Sequence, residues 1–168
     1  GLNRAVREFG LTDPAEILNK TRELVIQEFE KSEEEVKDGM DIALCAINGF
    51  DLYYAGANNP VWVLRDGELF ETKADKMPIG KYAELKPFST QHIPLQPEDV
   101  VYTFSDGYVD QFGGPKGKKF KYKTLKQLLI DIQGKPLDEQ ERILHDTFSN
   151  WKGKMEQVDD VCVAGIRV

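Results

Sequence analysis

The residues of this chain best suited to chemistry are aspartates at the ends of apolar segments. Ser105-Asp106-Gly107 follows the apolar run Val100 to Phe104, and Asp159-Asp160 precedes the run Val161 to Val168. If both runs are strands and pair antiparallel, the end of one meets the start of the other, and Asp106 faces Asp159. Asp38-Gly39-Met40-Asp41 likewise precedes Ile42 to Ile47, and Asn58-Asn59 follows Leu52 to Ala57. Should that hairpin share a sheet with Val100 to Phe104, four acidic loops or termini crowd one rim, and none of them holds Lys or Arg. Carboxylates so close cannot all stay ionised without a cation: either their pKa values rise or a metal ion sits among them. Oxygen donors alone select hard cations, Mg²⁺ or Mn²⁺ before Ca²⁺. Two histidines and two cysteines give no nitrogen and sulfur set suited to zinc. His92 falls in an apparent strand and His145 on a helix, and both read as structural or surface residues.

Asp-Gly is also a common turn and Asp-Asp a common loop, so either motif alone reads as structural. Their shared rim gives them weight, and that rim depends on the elements around it. Leu2, Ala5, Val6 and Phe9 have helical spacing, and a second helix opens at Asp13-Pro14 with Glu16 completing a capping box. Its stripe is Ile17, Leu18, Leu24, Val25 and Phe29. Ser32 to Lys37, with three consecutive Glu, reads as a solvated helix end or loop. A hairpin follows over Ile42–Ile47 and Leu52–Ala57, turning at Asn48-Gly49, and another over Val61–Leu64 and Glu68–Thr72, turning at Asp66-Gly67. A strand is predicted around Leu85 to Ile93, and Val100–Phe104 reads as a central strand buried on two sides. Gly113 to Lys119 reads as a flexible solvated loop. Leu125, Leu128, Leu129 and Ile132 predict a helix ending at Gly134, and Asp138 with Glu141 predicts a capping box for the next, through Ile143, Leu144, Phe148 and Trp151. Helices at the ends with antiparallel hairpins between them predict an α+β sandwich.

Composition narrows the classes. The 168 residues carry 22 Lys and Arg against 29 Asp and Glu, a net charge of −7, with 40% hydrophobic residues. That suits one globular domain with a sizeable core and argues against a nucleic acid partner. No apolar run approaches the ~20 residues needed to span a bilayer, so no membrane insertion is expected. Cys45 and Cys162, inside apolar runs and without C-x-x-C spacing, read as buried, reduced thiols of a cytoplasmic protein.

Six segments in order carry a resemblance: Asp38-Gly-Met-Asp-Ile-Ala-Leu-Cys45, Tyr54-Ala-Gly-Ala-Asn-Asn-Pro60, Met77-Pro-Ile-Gly80, Leu95-Gln-Pro-Glu-Asp-Val100, Phe104-Ser-Asp-Gly-Tyr-Val-Asp110 and Val158-Asp-Asp-Val161. Together they resemble the metal-dependent serine/threonine protein phosphatases of the protein phosphatase 2C (PP2C) superfamily, in the bacterial SpoIIE/RsbU-like branch. The resemblance implies a β-sandwich between helical layers and a two-metal site of Mn²⁺ or Mg²⁺. It implies that Asp106 bridges the metals within an Asp-Gly motif with Gly107, and that Asp159 is the late metal ligand. Asp110 matches a position that helps bind an additional metal in some relatives, and Asp160 is the adjacent carboxylate. The implied reaction is hydrolysis of phosphoserine or phosphothreonine on a regulatory partner protein in bacterial signalling, by a metal-activated water and without a protein nucleophile.

Two departures qualify the resemblance. Relatives carry an acidic first metal motif followed by Gly-His-Gly, which this chain lacks. The expectation is therefore a single unit over residues 1–168, the C-terminal part of a SpoIIE-like phosphatase domain. It would bind metal weakly or lack activity alone, expose an unpaired sheet edge that invites dimerisation, and lie downstream of a sensor domain in the full-length chain. Cys162 stands where relatives usually have Thr and reads as packing. Two other readings stay open: a non-catalytic phosphatase-like module that binds a phosphoprotein or regulator, and an α+β interaction domain with ordinary acidic turns.

Overall fold

The computed structural model describes residues 1–31 and 39–168. The Ser32 to Lys37 reading and Asp38 lie outside the described residues. In chain order the elements are α1 (Leu2–Arg7), α2 (Pro14–Glu30), β1 (Gly39–Met40), β2 (Ile42–Asn48), β3 (Asp51–Ala57), β4 (Val61–Arg65), β5 (Glu68–Thr72), β6 (Ile79–Gly80), β7 (Gln91–Pro94), β8 (Val100–Phe104), α3 (Gly107–Asp110), β9 (Phe112–Gly113), β10 (Lys118–Lys119), α4 (Tyr122–Ile132), α5 (Leu137–Lys152) and β11 (Val163–Arg167). The result is a mixed α+β fold of antiparallel sheets flanked by helices. No helix among the described residues is long and apolar enough to cross a membrane.

The described chain divides into two compact units. The first comprises Gly1–Val61 and Thr72–Leu95 and holds the sheet β2-β3-β7 beside α1 and α2. Helix α2 begins where the sequence says: the Asp13 carboxylate accepts from the Glu16 N–H at 3.0 Å, and Pro14 occupies the first turn. Its apolar stripe buries Leu18 with Ala55, Ala57, Ile79 and Phe88. Helix α1 is less well covered than its spacing predicts, because only Ala5 is buried while Leu2, Val6 and Phe9 stay exposed. The hairpin turns at Gly49-Phe50, one residue later than expected, because Asn48 still pairs with Asp51.

The second unit comprises Trp62–Glu71 and Gln96–Val168, with the sheet β11-β8-β4-β5. Strand β8 sits between β4 and β11, and its apolar composition follows from that central place. Trp62, Tyr102, Phe104, Leu125, Leu129 and Leu144 are among the residues of its core. The turn Asp66-Gly67 has φ of 48° and 86°, the left-handed pair that a two-residue hairpin requires.

Five local expectations need correction. The strand predicted around Leu85 to Ile93 begins only at Gln91; residues 85–90 are irregular, and Pro87 among them has no N–H for a ladder. The Gly113 to Lys119 segment is not a loop throughout but closes a short ladder, Lys118 on Gly113 and Lys119 on Phe112. Helix α5 starts at Leu137, so Asp138 is a first-turn residue rather than the N-cap, and no side chain caps that end. Strand β11 begins at Val163, two residues later than expected. Cys162 is exposed, because β11 is the terminal strand of its sheet, whereas Cys45 is half-buried and its thiol is pushed up to about 11 by burial.

Candidate metal centre

Strands β8 and β11 pair antiparallel, with Phe104 opposite Val163, so the segment leaving β8 and the segment entering β11 run side by side. Their backbones are fastened beyond the ladder. The Ser105 N–H donates to the Cys162 carbonyl at 2.9 Å, the Cys162 N–H donates to Ser105 Oγ at 2.9 Å, and that hydroxyl donates to the Asp160 carbonyl at 2.8 Å. One serine thus binds both sides of Val161. Gly107 completes the contact by having no side chain: a Cβ there would stand 2.4 Å from the Asp160 carbonyl oxygen and 3.3 Å from the Asp159 carbonyl carbon. Neither distance leaves room for ordinary packing.

Asp106 lies between these two contact residues, exposed, at the N-cap of the one-turn helix α3, and its carboxylate makes no capping bond to that turn. Asp159 and Asp160 are exposed as well, and Asp159 Oδ1 accepts from the Asp160 N–H at 2.7 Å. Asp110 ends α3, and its carboxylate is 2.9 Å from Lys119 Nζ on β10. The segments carrying Asp106 and Asp159 are therefore brought together, while Asp110 meets a cation that the spacing of acids did not reveal.

A residue with no signal in the sequence stands one step further along. Gln111 is wholly buried. Its Nε2 donates to the carbonyls of Phe112 and Glu156, each at 2.9 Å, and its Oε1 accepts from the Val158 N–H at 3.3 Å. Its main-chain carbonyl accepts from Phe120 N–H and Trp151 Nε1, both at 3.0 Å. The stretch 153–160 is exposed throughout and lies outside any strand, yet it is gripped by Gln111 before Asp159 and by Ser105 after it.

Among the described residues the wider rim of four acidic segments does not form through a shared sheet, because β2 pairs with β3 and β3 with β7, in a sheet that does not include β8. Asp41 accepts from Asn58 Nδ2 at 2.8 Å, and Asn58 has φ of 59°, so this pair closes its own hairpin end. His92 meets Asp51 at 2.6 Å and His145 lies exposed beside Asp146, both surface placements.

Among the described residues no three His, Cys, Asp or Glu side chains gather into a group that could hold a metal ion. The fit of a hard cation rests on donor type: Asp106 and Asp159 offer exposed carboxylate oxygens on segments whose backbones are locked together. Mg²⁺ is commonly held by only one or two carboxylates, with waters and substrate phosphate completing its shell. In donor type and number these residues suit such an ion.

Comparison with known proteins gives the following. The stage II sporulation protein E (SpoIIE) family matches over residues 2–168. No curated protein matches. Among solved structures, the SiaA-PP2C domain of Pseudomonas aeruginosa superposes with a TM-score of 0.89 at 27% identity, covering 99% of this chain and 65% of that one. The PP2C phosphatase domain of SpoIIE from Bacillus subtilis, with a fragment of its regulatory domain, gives 0.70 at 16% identity, covering 95% of this chain and 45% of that one. The catalytic domain of the serine/threonine phosphatase PstP, solved with 2 manganese ions, gives 0.64 at 18% identity, covering 90% and 70%. The chain thus spans less than two thirds of the length of the first two.

Proposed function

The chain belongs to the SpoIIE family and carries the PP2C phosphatase fold, and from that premise we propose that its full-length protein hydrolyses phosphoserine or phosphothreonine on a regulatory partner protein. The observation that supports this most is the double fastening of the Asp106 segment to the Asp159-Asp160 segment by Ser105 and Gly107. Asp106 and Asp159 would hold Mn²⁺ or Mg²⁺. Such cations, when bound, lower the pKa of water and neutralise phosphoryl oxygens, which is the chemistry a phosphomonoester needs. The chain's own residues do the positioning: Ser105 fixes the Asp160 carbonyl, Gly107 leaves space for it, and Asp160 orders the Asp159 side chain through its N–H. Asp110 would join only by exchanging its Lys119 partner for a cation.

The proposed setting is bacterial signalling in the cytoplasm, with a sensor domain upstream and a phosphorylated regulator as substrate. The test uses the full-length protein with Mn²⁺, an aryl phosphate and a phosphoserine peptide. Asp106→Asn and Asp159→Asn should each lower the hydrolysis rate by at least about 100-fold. Wild-type rates in both variants would discard the metal-phosphatase reading, and absence of hydrolysis in the wild type, with retained phosphopeptide binding, would select the non-catalytic module instead.

A further inference from the structure

We propose that Gln111 is a positioning residue for this site: its buried carboxamide sets the backbone that delivers Asp159 to Asp106. The inference rests on the metal-phosphatase reading above. Gln111 directly follows Asp110 at the end of α3, on the same short segment that carries Asp106. It reaches 45 residues along the chain to the Glu156 carbonyl and 47 to the Val158 N–H, and so brackets the approach to Asp159. Ser105, at the other end of the Asp106 segment, brackets the exit through Asp160 and Cys162.

The chemistry of the side chain explains why a glutamine suits the place. A primary amide carries two donors and an acceptor with two lone pairs, and here both hydrogens and the oxygen are directed at backbone groups. A segment whose side chains all face water has little packing to order it, so a buried amide that satisfies its carbonyl and N–H is a strong local constraint. Trp151 reinforces the anchor by donating its indole N–H to the Gln111 carbonyl. Ordering the segment before an ion arrives removes an entropic cost from binding, so loss of the anchor acts on cation affinity. A glutamine with a purely structural role would affect folding stability and leave cation affinity alone.

The experiment measures Mn²⁺ binding to the full-length protein by titration calorimetry, the Mn²⁺ concentration giving half-maximal hydrolysis, and hydrogen exchange of amides 156–162. Gln111→Met keeps the volume and removes the hydrogen bonds; it should raise both Mn²⁺ constants about 10-fold, within the range found for outer-shell partners of metal ligands, and speed exchange in that segment. Val158→Pro, at an exposed position, removes the N–H that donates to Oε1, while its ring also fixes φ at 158 and restricts Gln157; it should move the same constants in the same direction by a smaller factor. It decides the question if Gln111→Met fails to fold. A lower melting temperature with wild-type Mn²⁺ constants in the folded variants would overturn the assignment. Asp159→Asn runs alongside. If it loses Mn²⁺ binding while the other two variants keep theirs, Gln111 alone is wrongly assigned; if it too binds Mn²⁺ like the wild type, the metal-phosphatase reading falls and this inference with it.

Discussion

Strand β8 has an aspartate at each end, and the two ends treat it in opposite ways. Both ends are joined to β11: Val168 exchanges backbone bonds with Glu98 and Asp99 at the start, and Cys162 with Ser105 at the finish. At the start, the Asp99 side chain is 1% exposed and fully engaged. Arg65 grips it with Nε to Oδ1 at 2.9 Å and Nη2 to Oδ2 at 2.6 Å, and the Gln96 N–H adds a bond at 2.8 Å. At the finish, Asp106 is exposed, and it is the backbone on either side of it that is held, through Ser105 and Gly107. The difference separates an acid that builds the fold from one that the fold presents. A structural carboxylate is buried against the arginine that neutralises it, whereas a presented one faces solvent on a segment whose backbone is immobilised.

The sharpest way to break that contrast is to treat the structural end as if it were functional. Arg65→Ala leaves a buried carboxylate without its cation and should cost about 3 kcal/mol of stability, the low end of the usual range because the guanidinium is partly open to water. Urea unfolding checks the loss, and the rate per folded molecule should stay at the wild-type value. Acidity gives the companion measurement. Burial raises the Asp99 pKa, but the hydrogen bonds from Arg65 and Gln96 together with the Arg65 charge outweigh it and hold the carboxyl below the ordinary range. A depressed folded-state pKa contributes stability that is fully present above the unfolded value, about 3.9, and fades as pH falls through the folded one. The unfolded chain is common to both, so the gap between wild type and Arg65→Ala should shrink on acidification as Asp99 takes up its proton, first in the variant and then in the wild type. A gap independent of pH would mean that Asp99 is not the partner that matters.

Among the residues that only position the acids at the functional end, the largest expected effect comes from adding a single methyl group. Gly107→Ala places a Cβ 2.4 Å from a backbone oxygen, so the Asp159-Asp160 segment must move away from Asp106. Mn²⁺ affinity should fall about 10- to 100-fold, measured by calorimetry on the full-length protein. Retained affinity would show that the close approach serves packing alone.

How much of this was legible beforehand depended on the range over which each feature is encoded. The Asp66-Gly67 turn and the Asp13-Pro14 helix start were legible because their determinants lie within three residues: positive φ in one case, a side-chain cap in the other. The side-by-side placement of the Asp106 and Asp159 segments was legible for a related reason, since each borders an apolar run and the two runs pair. Cys162 misled because an apolar run does not tell a terminal strand from a central one. The expected strand at Leu85 misled because apolar spacing there is not matched by a ladder partner before Gln91. Gln111 gave no signal, since nothing next to it marks it as buried and the segment its carboxamide holds, at Glu156 and Val158, lies over forty residues away. Nothing near Asp110 pointed to Lys119 as its partner, because Lys119 reaches it only once β9 and β10 pair.

The finest probe of the contrast is Ser105, whose hydroxyl both accepts from Cys162 and donates to Asp160. Ser105→Ala removes two bonds but leaves the Ser105 N–H to Cys162 carbonyl bond and the β8 to β11 ladder in place. The strands should stay paired while the loop beyond them loosens. Two neutral hydrogen bonds at a half-exposed residue are worth about 1 kcal/mol each, so Mn²⁺ affinity should fall by at most about 30-fold and the melting temperature by at most about 4–8 °C. Ser105→Thr keeps the hydroxyl and should restore affinity, a recovery that a simple loss of volume would not show. If alanine and threonine behave alike, the hydroxyl is not what holds Asp160, and the tie between the two acidic segments rests on the close approach at Gly107 and the anchor at Gln111.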